Sequence, residues 1–132
     1  ALPISKYTMN LKLVFRINSI IFLLNGIMGL FFTDMFFEMA NFEIINGETT
    51  TIGQFMGVTF LFLGILLWKT PDIAGDSLKG FGMLWALGEL MWLLIIGYHI
   101  FDGAAGGATA YGNAIITAVL ALLFFLNSRE SN

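Results

Sequence analysis

Hydrophobic residues along this chain fall into four nearly unbroken runs, Leu11–Phe32, Ile52–Trp68, Gly80–Phe101 and Ala108–Leu126. Each approaches the roughly 20 residues that a helix needs to cross a bilayer, the second being the shortest. Backbone groups in hydrocarbon must find their hydrogen bonds within the segment, which leaves helices or a closed barrel. The runs lack the polar alternation of a barrel strand, so the pattern predicts four transmembrane helices.

The connections sharpen the picture. The segment Thr33–Thr51 is the longest, and in it Phe36, Phe37, Phe42, Ile44 and Ile45 are interspersed with Asp34, Glu38, Glu43 and Glu48. That mixture predicts an amphipathic loop over residues 33–51, lying in the interface or folded over the mouth of the bundle. An Asn46-Gly47 pair marks a tight turn before the second span. Between the second and third spans, Thr70–Ser77 carries Pro71, Asp72, Gly75 and Asp76, a short turn that predicts an antiparallel hairpin. Its aspartates read as solvated partners of Lys69 and Lys79. The last connection, Asp102–Gly107, is short and rich in Gly and Ala. The expected fold is an all-α, four-helix up-and-down bundle forming a single membrane domain over residues 1–132.

Composition agrees. Of 132 residues, 58% are hydrophobic and only 11% charged, with a mean hydropathy of +0.84, too little polar surface to coat a soluble domain. The six basic residues, Lys6, Lys12, Arg16, Lys69, Lys79 and Arg129, all fall on one side of a four-pass topology. By the positive-inside rule, both termini and the middle connection face the cytoplasm or its organellar equivalent, stroma or matrix. A net charge of −3 without a basic cluster argues against nucleic acid as a partner. With no cysteine there is neither a disulfide framework nor a thiolate metal site. A start at Ala1 implies removal of an initiator Met or of a targeting peptide.

Polar residues inside the spans are costly and should face the bundle interior or a partner. Glu89 stands about ten residues into the third span, near the bilayer midplane, on a face continued by Gly82, Trp85, Ala86, Trp92 and Leu93. Asn18 and Asn25, seven apart with Phe22 between them, share one face of the first span. Asn113 and Thr117, four apart, make a similar stripe in the fourth, and Gln54 begins the second. Together with Arg16, the one basic residue within plausible reach of Glu89, these predict an intramembrane polar core. If Arg16 pairs with Glu89, the carboxylate is a structural anion; if not, it is a neutral donor or a proton carrier. Gly53, Gly57 and Gly64 form a stripe on the second span, and Gly82 and Gly88 on the third extend a pattern of close helix packing.

His99, the single histidine, lies beside Tyr98 at the far end of the third span. One histidine cannot build a bis-histidine haem or a histidine-rich metal site, but His99 or Glu89 could ligate a chlorophyll-type pigment. No nucleophile elbow, phosphate loop or hydrolase carboxylate pair is present, so no enzymatic role is expected.

Arg16 followed by Leu24, Asn25, Gly26 and Gly29 resembles the first helix of DoxX-like small four-helix membrane proteins, and the resemblance covers the first two helices. The small multidrug-resistance transporters share the four-pass size, but their essential glutamate lies in the first helix, where this chain has no acid. The reading placed first is a non-catalytic accessory subunit of a larger membrane complex, photosynthetic or respiratory in type. It would sit in a thylakoid or bacterial inner membrane among lipids and other membrane subunits, with bound pigment or lipid. A small proton-coupled or lipid-handling transporter using Glu89 is the second reading, and a stand-alone DoxX-like protein the third.

Overall fold

The computed structural model describes residues 2–129, with side chains from Leu11 onward, so that Ala1 and the side chain of Lys6 lie outside the described residues. It is all-helical among those residues. Four long helices, α1 (Leu2–Phe31), α3 (Gly47–Ile73), α4 (Leu78–Phe101) and α5 (Gly107–Ser128), are joined by a short helix α2 (Thr33–Met39) and by a single 3₁₀ turn, Gly75–Ser77. All four long helices contain a stretch long and apolar enough to cross a membrane. Their outward faces carry Ile20 and Leu24 on α1, Phe55 and Phe62 on α3, Leu84 and Leu94 on α4, and Ile115 and Leu122 on α5, all exposed. Helices apolar on every side are stable only in a larger core or in lipid, which makes the chain an integral membrane protein.

Packing is by antiparallel pairs. α1 lies along α3, α4 lies along α5, and the two pairs meet chiefly between α1 and α5. The first pairing follows from missing side chains: a Cβ on Gly57 would stand 2.5 Å from the Leu30 backbone nitrogen, and one on Gly26 would stand 2.9 Å from the Gly57 carbonyl oxygen. Only glycine lets the backbones come this close. The bare surface of Gly64 admits the side chain of Leu23, and the Ser19 hydroxyl donates to the Gly64 carbonyl at 2.6 Å. In the second pair, Gly82 makes room for the side chain of Ser128, while Gly88 has open space around it.

Three expectations change here. The short middle connection does not bring α3 and α4 into a packed hairpin; α3 is held by α1, and contact with α4 runs through side chains such as Phe60 and Trp92, whose rings are 5.8 Å apart. Asp72 does not pair with Lys69 or Lys79. Since α3 continues through Pro71 to Ile73, Asp72 is carried to α1, where it accepts from Arg16 at 2.9 Å and lies 3.9 Å from Lys12. The segment 33–51 is not merely a loop. Its first part forms α2, with Thr33 and Phe37 buried and Phe37 stacked on Phe42 at 4.9 Å.

α2 closes one end of the bundle. Thr50 on α3 donates to Asp34 at 2.7 Å, and the Gly106 N–H before α5 donates to the Ala40 carbonyl at 3.0 Å. Asn46 caps α3, accepting from the N–H groups of Glu48 and Thr49. We call this the lid end, and the opposite end, where Arg16 meets Asp72, the basic end. Towards the basic end the core is solid: Leu11, Val14, Phe15, Leu67, Leu78 and Phe124 are all buried, and Phe15 meets Phe124 edge to face at 5.0 Å.

Replacing Gly57 with Ala should force α1 and α3 apart, costing about 1–3 kcal/mol as overpacking does elsewhere. Thermal unfolding in detergent should show a clear drop for Gly57→Ala and none for Gly88→Ala; coincident melting of Gly57→Ala with the parent chain contradicts this packing.

Candidate functional site

Between the two helix pairs, from the middle of the bundle towards the lid end, lies a cavity of about 70 Å³. Its polar lining is Asn18 and Asn25 from α1, Glu89 from α4, and Asn113 and Thr117 from α5. Apolar walls come from Ile21, Phe22, Phe60, Trp92, Ile96, Ile116 and Leu120. The spacings explain why these positions converge: seven residues on α1 and four on α5 return to the same helix face. A single water needs roughly 10–15 Å³, and a cavity of roughly 150 Å³ takes a benzene molecule, so this space suits a few waters or one small solute.

Glu89 is the floor of the cavity. It is 3% exposed, and its Oε1 accepts from Asn18 Nδ2 at 2.8 Å. Asn18 is itself fully buried, and its Oδ1 has no hydrogen-bond partner among the described residues. Burial falls off in one direction. Asn18, Phe22, Glu89, Thr117 and Leu120 are sealed, whereas Asn25, Ile96 and Asn113 are partly exposed and Ile116 is exposed. The cavity thus opens in the half nearer the lid end and is blocked towards the basic end by the Phe15 and Phe124 rings and the residues around them.

An aromatic group forms one side. Phe22 lies edge-on to Phe60 at 5.5 Å, to Trp92 at 5.5 Å and to Trp85 at 5.9 Å. These rings bridge α1, α3 and α4 where the backbones stand apart.

Arg16 is not part of this site. Its guanidinium donates to Asp72 and lies over the Trp68 ring, 4.4 Å from the centroid, near the basic end. The correction has a simple cause: residues two apart on a helix point to different sides, so with Asn18 turned to Glu89, Arg16 is turned to α3. Glu89 therefore pairs with an amide instead of a cation. Gln54 is likewise elsewhere. It is exposed, in a surface depression with Leu30, Phe31 and Asp34, because the adjacent Gly53 and Gly57 occupy the face turned to α1. Gly53 itself fits against Thr33 and Phe37 of α2. Asn25 bonds back to the Ile21 carbonyl at 2.9 Å. His99 is about half exposed at the lid end, edge-on to Tyr98, with Nδ1 3.8 Å from Asp102 and outside the cavity lining. Sequence reasoning did not single out Phe60, since one phenylalanine among 14 carries no mark of its wall position.

Among the described residues, no group of three or more His, Cys, Asp or Glu side chains is arranged to hold a metal ion. Chemically, the cavity offers hydrogen-bond acceptors, the amide and hydroxyl donors of Asn113 and Thr117, and one carboxyl that can hold a negative charge or a proton. Comparison with protein-family models, with curated proteins and with solved structures finds no match to this chain.

Truncating Asn18 to Ala should leave the Glu89 carboxyl buried without its donor, at a cost of about 1–3 kcal/mol. Glu89→Gln, which keeps a hydrogen-bonding group in place, should melt close to the parent chain. Parent-like thermal stability of Asn18→Ala contradicts a structural role for this bond.

Proposed function

We propose that this chain is a small membrane carrier in which Glu89 takes up and releases a proton while a small solute occupies the same cavity. The observation that carries this reading is the partner of Glu89. A carboxyl group kept only to hold helices together is best served by a cationic neighbour, because an unpaired anion in hydrocarbon is costly. Here the bond is to Asn18, and among the described residues no basic side chain lines the cavity. Charge balance at Glu89 then comes from outside the chain, as a proton or a cationic solute.

The cavity supports the same reading. It joins the carboxyl to Asn113 and Asn25 near its open end, a polar path in an otherwise apolar interior. The positive-inside rule supports a placement in which the basic end faces the cytoplasm or an equivalent compartment and the less buried half of the cavity lies nearer the opposite side.

A second reading, the accessory subunit, draws on a different face. Along the outside of the α4–α5 pair runs a shallow apolar groove in which Ala86, Ala118 and Ala121 lie among Met83, Leu90 and Phe125. Small residues at a lipid-facing surface suit a neighbouring helix or an acyl chain. The DoxX-like resemblance is compatible with either reading, and pigment ligation through His99 draws no support from its place outside the cavity.

Reconstitution into vesicles loaded with a pH-sensitive dye tests the carrier. Under an imposed pH gradient the parent chain should carry protons, and Glu89→Gln should lose most of that flux while retaining its melting temperature. Equal flux from the two proteins contradicts the carrier. Migration in mild detergent as a free monomer or dimer would count against the subunit reading, and co-migration with a larger complex would favour it.

A further inference from the structure

We infer that the solute recognised by this cavity is a small protonated amine bearing at least two N–H donors, such as a short primary alkylammonium. The inference rests on the same site as the carrier reading and adds the ligand's chemistry.

Three features of the lining converge on it. The first is the balance of hydrogen-bonding groups at the floor. Asn18 commits its Nδ2 donor to Glu89, which leaves Asn18 Oδ1, fully buried, as an acceptor without a donor. Glu89 takes only this one side-chain hydrogen bond, through Oε1. At the floor, Asn18 Oδ1 is therefore an acceptor to which neither Glu89 nor the nearby Thr117 hydroxyl donates, and an orphan acceptor buried away from water is expensive until something donates to it. An ammonium group brings up to three N–H donors on one atom.

The second is charge. A carboxylate inside hydrocarbon with no basic side chain in the cavity lining favours a ligand that brings the positive charge, and an N–H of a cation to a carboxylate is among the stronger hydrogen bonds available. The third is the wall. Phe22, Phe60 and Trp92 lie within 5.5–5.8 Å of one another beside the carboxylate, and aromatic surfaces attract ammonium groups. A neutral alcohol would answer the second feature poorly. A quaternary ammonium would answer the first not at all, since it has no N–H. An anion would be repelled. The volume, about 70 Å³, restricts the ligand to a few heavy atoms.

Charge exchange at Glu89 follows from this chemistry without any bond being made or broken to carbon. The carboxyl gives up its proton to water at the open end, and the ammonium takes its place as counter-ion; the reverse exchange releases the amine.

Equilibrium dialysis of radiolabelled ethylamine against the full chain in nanodiscs of neutral lipid tests the assignment. The result expected is saturable binding that unlabelled methylamine displaces and that neither ethanol nor tetramethylammonium displaces. Glu89→Gln and Asn18→Leu should each weaken binding roughly tenfold or more, the loss expected for one charge-assisted hydrogen bond. Absence of saturable binding, equal displacement by tetramethylammonium, or unchanged affinity in Glu89→Gln overturns the ligand class. The two readings fail separately: Glu89-dependent proton flux without ethylamine binding leaves the carrier and removes the amine, whereas ethylamine binding with proton flux unaffected by Glu89→Gln leaves the amine site and removes the carrier.

Discussion

Two antiparallel helix pairs make up this protein, and the hydrogen bond from Asn18 to Glu89 is, among the described residues, the one side-chain hydrogen bond that ties them together. Within each pair, cohesion is a matter of shape. α1 and α3 fit because Gly26, Gly29 and Gly57 have no side chains at the contact, and α4 and α5 fit where Ser128 enters the notch of Gly82. Between the pairs the contact is mostly aromatic and apolar, which gives adhesion with little directional preference. A buried polar bond supplies the direction, because any sliding or rotation that separates Asn18 from Glu89 strands both in hydrocarbon.

That same bond divides the interior in two. Towards the basic end, Leu11, Phe15, Leu67 and Phe124 pack into a dry core, capped at the surface by Arg16 between Asp72 and Trp68. Towards the lid end the packing gives way to a cavity, and the chain compensates by bracing α2 across the ends of α1, α3 and α5 through the Thr50–Asp34 and Gly106–Ala40 bonds and the buried Phe37. The two ends therefore differ in kind: one is closed by side-chain packing, the other by a short helix laid over an incompletely filled bundle.

Much of this was legible in the sequence, for reasons that can be named. Four long apolar runs without strand alternation leave helices as the solution, and a spacing of seven or four fixes which residues share a face, as it does for Asn18 with Asn25 and for Asn113 with Thr117. What periodicity leaves open is how each helix is rotated about its axis. Arg16 and Asn18 are two residues apart, and only the close fit of Gly26 and Gly57 decides that Asn18 turns to α4 while Arg16 turns to α3. Gln54 is lost from the polar core by the same rotation. Nor does a short connection guarantee a packed hairpin: α3 and α4 are linked by four residues, Ala74, Gly75, Asp76 and Ser77, yet the glycine surface of α3 is spent on α1. The helix α2 was hidden because seven residues of mixed aromatic and acidic character have no period long enough to read.

The carrier reading requires Glu89 to be the floor of a cavity reached from one side of the membrane. Since the chain contains no cysteine, an Asn113→Cys variant, at the partly exposed end of the cavity, carries a single reporter thiol. Exposed to a small water-soluble thiol reagent in sealed vesicles, it should react when the reagent is on the lid side and stay unmodified when the reagent is on the basic side. A thiol inert from both sides, or reactive from the basic side alone, contradicts the account.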